Sequence, residues 1–134
     1  MKIQLLLGLA ATALLSAGTA GASTLWVNSA GSNYIYGFDS TTGASLYHYT
    51  PGSGNGRGVV VVGNTIYYTV TNDGRLFTLN KTTGMPGVTI NTGLASLATI
   101  AYDGKNFWLG DYSGSNNAYH FDLGTGMVDK TITL

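Results

Sequence analysis

The amino-acid sequence predicts an all-β chain made of repeated four-stranded antiparallel sheets. Three observations predict it: a turn phrase occurs three times, an aromatic landmark recurs in step with it, and no window after residue 22 holds a helical apolar period with end caps. "NYIYGFDSTTG" (residues 33–43) returns as "DGRLFTLNKTTG" (73–84) and as "NNAYHFDLGTG" (116–126). Aligned on Phe38-Asp39, Leu79-Asn80 and Phe121-Asp122, the copies lie about 41 residues apart. The landmark upstream keeps the same interval, as Leu25-Trp26-Val27, Ile66-Tyr67-Tyr68 and Phe107-Trp108-Leu109.

Residues 1–22 come first and read as an export signal. Lys2 is the basic start, residues 3–15 form an apolar run too short to span a bilayer, and Ala20-Gly21-Ala22 is a small-residue cleavage site. The mature chain is therefore expected outside the cytoplasm, secreted or periplasmic, with no membrane attachment after cleavage. The repeat region, residues 23–134, divides into three units, at about 24–50, 58–92 and 97–134. The first opens directly on the strand that carries Trp26. The second supplies "VVVVG" (59–63), "TIYYTV" (65–70), "RLFTLN" (75–80) and "GVTIN" (87–91), short runs rich in β-branched and aromatic residues and bounded by turn residues. The third supplies strands at 97–102, 107–111, 118–122 and 130–134.

Four strands, A to D, at a period near 40–45 residues are the pattern of a β-propeller blade. The sequence thus predicts about three blades, the first without its inner strand A, against the roughly four to eight of a closed ring. "FDSTTG", "LNKTTG" and "FDLGTG" are turns from strand C to strand D, with an Asx side chain bonding the turn backbone and Gly43, Gly84 or Gly126 at positive φ.

Segment 97–132, "LATIAYDGKNFWLGDYSGSNNAYHFDLGTGMVDKTI", resembles NHL and YVTN-type blades of secreted repeat proteins. The resemblance implies a propeller, in families that include ligand-binding scaffolds, lactonase-like enzymes and lyase-like enzymes. The quinoprotein repeat fits less well. Its tryptophan is replaced by Tyr47, Val88 and Lys130, so no quinone cofactor is expected.

Composition excludes several chemistries. The chain has no cysteine, which removes disulfides, thiolate metal sites and a thiol nucleophile. Only 9% of residues are charged, the net charge is zero, and the cations are scattered, so nucleic acid is not an expected partner. Glutamate is absent, as are a G-x-S-x-G elbow and a paired-histidine motif, so no catalytic residue is assigned. His48 and His120 are expected as neutral sheet histidines. "PGSGNGRG" (51–58) lacks the final Lys-Ser/Thr of a phosphate loop and runs into a strand, so it reads as the D-to-A connection between blades. "DYSGSNN" (111–117) has one carboxylate and no bidentate Glu, so no metal is expected there.

The resemblance also implies that the D-to-A and B-to-C loops share one face and that ligands bind there. That face is expected to gather Asn55, Arg57, Asn72, Asp73, Asp111, Tyr112 and Asn116. Arg57 could offer a bidentate donor to a carboxylate or phosphate. Trp26, Tyr67 and Trp108, at one repeated position, are expected to pack between blades. The functional expectation is an exported, non-catalytic binding or scaffold protein for a ligand or protein, with ring completion by neighbouring copies as one form of partnership. The alternative is a fragment of a lactonase-like or lyase-like propeller enzyme using Arg57, Asp111 and His120.

Overall fold

A computed structural model of the protein describes residues 23–52 and 54–134; the expected export signal lies outside them. Eleven strands run in order: β1 (Thr24–Asn28), β2 (Ile35–Asp39), β3 (Ser45–Tyr49), β4 (Gly56–Val62), β5 (Thr65–Val70), β6 (Arg75–Asn80), β7 (Ile90–Asn91), β8 (Leu97–Tyr102), β9 (Phe107–Asp111), β10 (Asn117–Asp122) and β11 (Met127–Thr133). They form three antiparallel sheets, β1-β2-β3, β4-β5-β6-β7 and β8-β9-β10-β11. No helix occurs among the described residues, so none is long and apolar enough to cross a membrane. The chain is an incomplete propeller: three blades, the first represented by strands B, C and D.

Alternation along the strands sends successive side chains to opposite blade faces, and this builds the core. Ile66 and Tyr68 point toward blade 1, where they meet Ile35 and the flank of Trp26; Tyr67, between them, points the other way and packs edge-on against Phe107 at 4.7 Å. Two apolar clusters result, one in each seam between blades. The innermost strands stand side by side, β1 beside β4 and β4 beside β8.

The repeated landmark holds to the residue. Trp26 pairs with Gly37, Tyr67 with Thr78 and Trp108 with His120, in each case one residue before the Phe/Leu-Asx phrase. Gly37 serves this position by absence: a Cβ there would lie 2.8 Å from Tyr47 and 3.1 Å from Trp26, whose rings stack at 5.1 Å across the gap. The C-to-D turns follow the expected chemistry. Asp39 Oδ1 accepts from the Thr41 and Thr42 amides at 2.8 Å, Asn80 Oδ1 from Thr82 and Thr83 at 2.9 Å, and Asp122 Oδ1 from Thr125 at 2.8 Å, while Gly43, Gly84 and Gly126 have φ of 72°, 70° and 69°.

Three strand boundaries differ from the sequence reading by more than one residue. Strand D of blade 2 shrinks from 87–91 to β7, plus an isolated bridge between Leu79 and Pro86. Pro86 has no amide to donate, and the Thr78 hydroxyl, packed where a side chain on Gly87 would sit, takes the Val88 carbonyl at 2.7 Å. Strand D of blade 3 begins at Met127 rather than residue 130, because Asp129 and Lys130 occupy an exposed outer edge that tolerates charge. Strand A of blade 2 begins at Gly56 rather than 59. A bulge between Gly56 and Val59 carries Arg57 into the strand, so Arg57 is an inner-strand residue and not a loop residue.

Candidate functional site: the loop face and the cleft beneath it

The D-to-A loops and B-to-C turns do gather on one face, stitched by a repeated hydrogen-bond pattern. Asn55 links two turns, its Oδ1 accepting from Gly31 N at 2.9 Å and its carbonyl from Thr71 N at 2.9 Å. Ser96 does the same one blade later: its hydroxyl accepts from Asn72 N at 3.1 Å and its carbonyl from Tyr112 N at 3.2 Å. These two residues stand one repeat apart. They are the clamps that fix each turn against the next blade.

Under this face, between β4 and β8, lies an open cleft of about 540 Å³ lined by Arg57, Gly58, Val59, Ala98, Thr99, Ile100 and Tyr112. Inner strands come close here because position 58 lacks a side chain; a Cβ would lie 2.8 Å from the Ile100 amide nitrogen. Bulges at matching places in β4 and β8 re-aim the residues that follow. Among the described residues, Arg57 is the cleft's one charged lining residue. Its Nη1 donates to Asn55 Oδ1 at 3.1 Å, its guanidinium lies 4.8 Å from the Tyr112 ring centroid, and its buried Nε has no hydrogen-bond partner among the described residues. A buried donor left unpaired costs about 1–3 kcal/mol, more for a charged group.

Of the residues expected on this face, the fold unites Asn55, Arg57 and Tyr112 around the cleft. The others have turn duties. Asp73 accepts two hydrogen bonds from the Arg75 side chain, at 2.6 and 2.9 Å, and this ion pair holds its carboxyl below the usual range. Asp111 loses some solvation, yet hydrogen bonds from Ser115 (2.7 Å), Ser113 (2.8 Å) and Tyr119 (3.3 Å) outweigh that loss and keep its carboxyl acidic. Asn72 and Asn116 sit at φ of 60° and 55°, a left-handed turn geometry that Asn tolerates better than most residues, and Asn33 repeats it at 52° in blade 1. Among the described residues no group of three His or Asp side chains converges as a metal site would require.

Sequence reasoning passed over Thr99 and Ile100. They lie one repeat after Gly58 and Val59, so extending the period to the inner strands would have found them.

His120 corrects two expectations. It lies on the outward face of blade 3, with Trp108 at 5.0 Å and no contact to Arg57 or Asp111, so these three do not form one site. Nor is it an isolated neutral histidine, for Nδ1 meets Asp129 at 2.5 Å and Nε2 meets Asp103 at 3.2 Å. The Asp129 hydrogen bond, helped by Asp103, raises its pKa above the ordinary 6.5 despite partial desolvation. A raised folded value means that this cluster's stabilisation is complete below pH 6.5 and is lost as pH climbs through the raised value. His120 is therefore expected to titrate above 6.5 by NMR, and Asp129→Asn to bring it back toward that value; an unchanged midpoint in the variant would contradict the assignment.

No protein-family model matches the sequence, and no curated protein does. Solved structures do resemble it. Glutaminyl cyclase from Myxococcus xanthus superposes with a TM-score of 0.72 at 10% identity, over 83% of this chain and 49% of that one. Hydrazine synthase from Kuenenia stuttgartiensis gives 0.61 at 18% identity, over 83% of this chain and 34% of that one. The chain thus spans half or less of these structures, and at such identities the likeness establishes the propeller fold alone.

Proposed function

We infer that this is an exported, non-catalytic propeller-type module, with NHL/YVTN-like blades, that binds a small carboxylate-bearing ligand in the cleft between β4 and β8. One observation carries the reading: Arg57, the one charged lining residue of the cleft among the described residues, is held at its wall by Asn55 and Tyr112. A carboxylate would accept from the guanidinium of Arg57, and Ile100, Val59 and the Tyr112 ring would receive an apolar or planar body. The residues 1–22 pattern supports export.

Calorimetric titration with acetate, succinate, benzoate and inorganic phosphate tests it. Benzoate is expected to bind best, and Arg57→Ala to weaken binding about 10- to 100-fold, the range for losing a hydrogen bond to a charged group. Equal binding by the variant, or no binding by any probe, overturns the reading.

A second reading makes these blades part of a propeller enzyme. The likeness to glutaminyl cyclase favours it, and the test is direct. A peptide with N-terminal glutamine incubated with the protein would lose ammonia, as seen by mass spectrometry; an intact peptide removes this version.

A further inference from the structure

We propose that blade 2 carries a second ligand site, a neutral pocket for a single sugar ring, at the end of the blade opposite the loop face. The pocket has a volume of about 260 Å³ and lies beside the A-to-B and C-to-D turns, where β5 begins with Thr65 and β6 ends with Asn80. Tyr67, Thr78, Leu79 and Val88 complete its main walls, and it shares no lining residue with the Arg57 cleft. The repeat explains the space. Tyr67 stands opposite Thr78 as Trp26 stands opposite Gly37 and Trp108 opposite His120, and strand D adds Val88, Tyr47 and Lys130 to the same three rows. In blade 1 the row is occupied by the Trp26 indole stacked on Tyr47 at 5.1 Å. In blade 3 it is occupied by Trp108, with His120 at 5.0 Å and the Lys130 ammonium 5.8 Å from the indole. Blade 2 has neither filling, since Tyr67 replaces an indole and Val88 replaces a tyrosine ring or a long lysine side chain.

The polar lining departs from the repeat at the same place. In all three blades the C-to-D turn amides donate to Oδ1 of the Asx residue, and blades 1 and 3 make that turn with Asp39 and Asp122. Asn80 serves the turn no better than an aspartate would. What it adds is Nδ2, a donor that the turn does not use, on a residue that lines the pocket. Thr65 and Tyr67 bring hydroxyls, each able to donate and to accept, while Leu79, Val88 and the Tyr67 ring give an apolar wall. Among the described residues no charged side chain lines the pocket, so an anion finds no cation there and a cation finds no carboxylate. Neutral donors and acceptors beside an apolar wall match the hydroxyls and the C–H face of a sugar. The volume falls just below the roughly 300–1,000 Å³ of pockets for drug-sized ligands, which limits the occupant to about one ring.

Amide and side-chain NMR shift titrations of the isotope-labelled protein with glucose, galactose and mannose test the proposal. At least one of these hexoses is expected to bind with a millimolar Kd and to shift signals around Thr65, Tyr67 and Asn80. Asn80→Asp keeps the turn as blades 1 and 3 make it and removes the spare donor. It is expected to weaken binding about 3- to 10-fold, the range for one lost hydrogen bond, with a melting temperature close to that of the parent. Val88→Tyr places the blade 1 residue at an exposed position and is expected to fill the pocket, abolishing the hexose shifts in a protein whose circular dichroism spectrum is unchanged. No shift with any of the three sugars overturns the proposal. So do shifts confined to other parts of the protein, equal affinity in Asn80→Asp, or undiminished binding by folded Val88→Tyr.

Discussion

Phe107→Ala is expected to destabilise the protein by about 3–5 kcal/mol, the range for emptying a buried aromatic site. Phe107 is fully buried in the seam between blades 2 and 3, edge-on to Tyr67 and 5.6 Å from Tyr102. Its ring fills the space that β5 and β9 share, so truncation leaves a cavity lined from both blades. A domain's whole stability is about 5–15 kcal/mol, so this one change removes a third or more of a modest total. Leu25→Ala provides the internal control, because Leu25 stands at the same repeat position on an open face. It is expected to cost about 0.5 kcal/mol or less. Urea denaturation of both variants checks the pair. A loss under about 1 kcal/mol for Phe107→Ala would mean that the seam is not a packed core.

The contrast between those two residues also marks what the sequence could reveal. Leu25, Ile66 and Phe107 are one position in the repeat, and the repeat was plain from Phe38-Asp39, Leu79-Asn80 and Phe121-Asp122. Blade number, strand order and the turn roles of Asp39, Asn80 and Asp122 follow from local signals: period-two alternation, Asx chemistry and glycines at positive φ. The open or buried state of each copy depends on its neighbours, which are distant in sequence. The cleft was legible only in part. Arg57 stood out as a cation after a glycine stretch, but its place inside β4 depends on a bulge set by pairing with β5, and its partner Tyr112 comes from more than one blade's length of chain away. Strand D of blade 2 failed for a tertiary reason as well, since the Thr78 hydroxyl takes a carbonyl from the segment that should have formed the outer edge. The sequence reading began the outer strand of blade 3 at residue 130, three residues after β11 starts, although an outer edge is where a charge such as Asp129 belongs.

Gly74→Ala is expected to cost stability and, beyond that, ligand affinity at a cleft that Gly74 does not touch. A Cβ at Gly74 would sit 1.7 Å from the Leu94 carbonyl oxygen, which is backbone and cannot rotate aside. Either the β5–β6 turn or the loop before β8 must move. Overpacking of this kind costs about 1–3 kcal/mol and occasionally more. The displacement also strains the bonds that tie the two segments, from the Thr92 hydroxyl to the Gly74 carbonyl at 2.5 Å and from Leu97 N to the Asp73 carbonyl at 2.9 Å. The same loop presents Ser96, whose carbonyl receives the Tyr112 amide. Tyr112 in turn covers the Arg57 guanidinium, so a shift of the loop moves the ring that helps orient the cation. Thermal denaturation and benzoate titration of one sample separate the two consequences. A lower melting temperature together with weaker binding, measured where the variant is still folded, fits a loop face whose clamps set the geometry of the cleft. A lower melting temperature with unchanged affinity would show that Tyr112 holds its place without the Ser96 clamp.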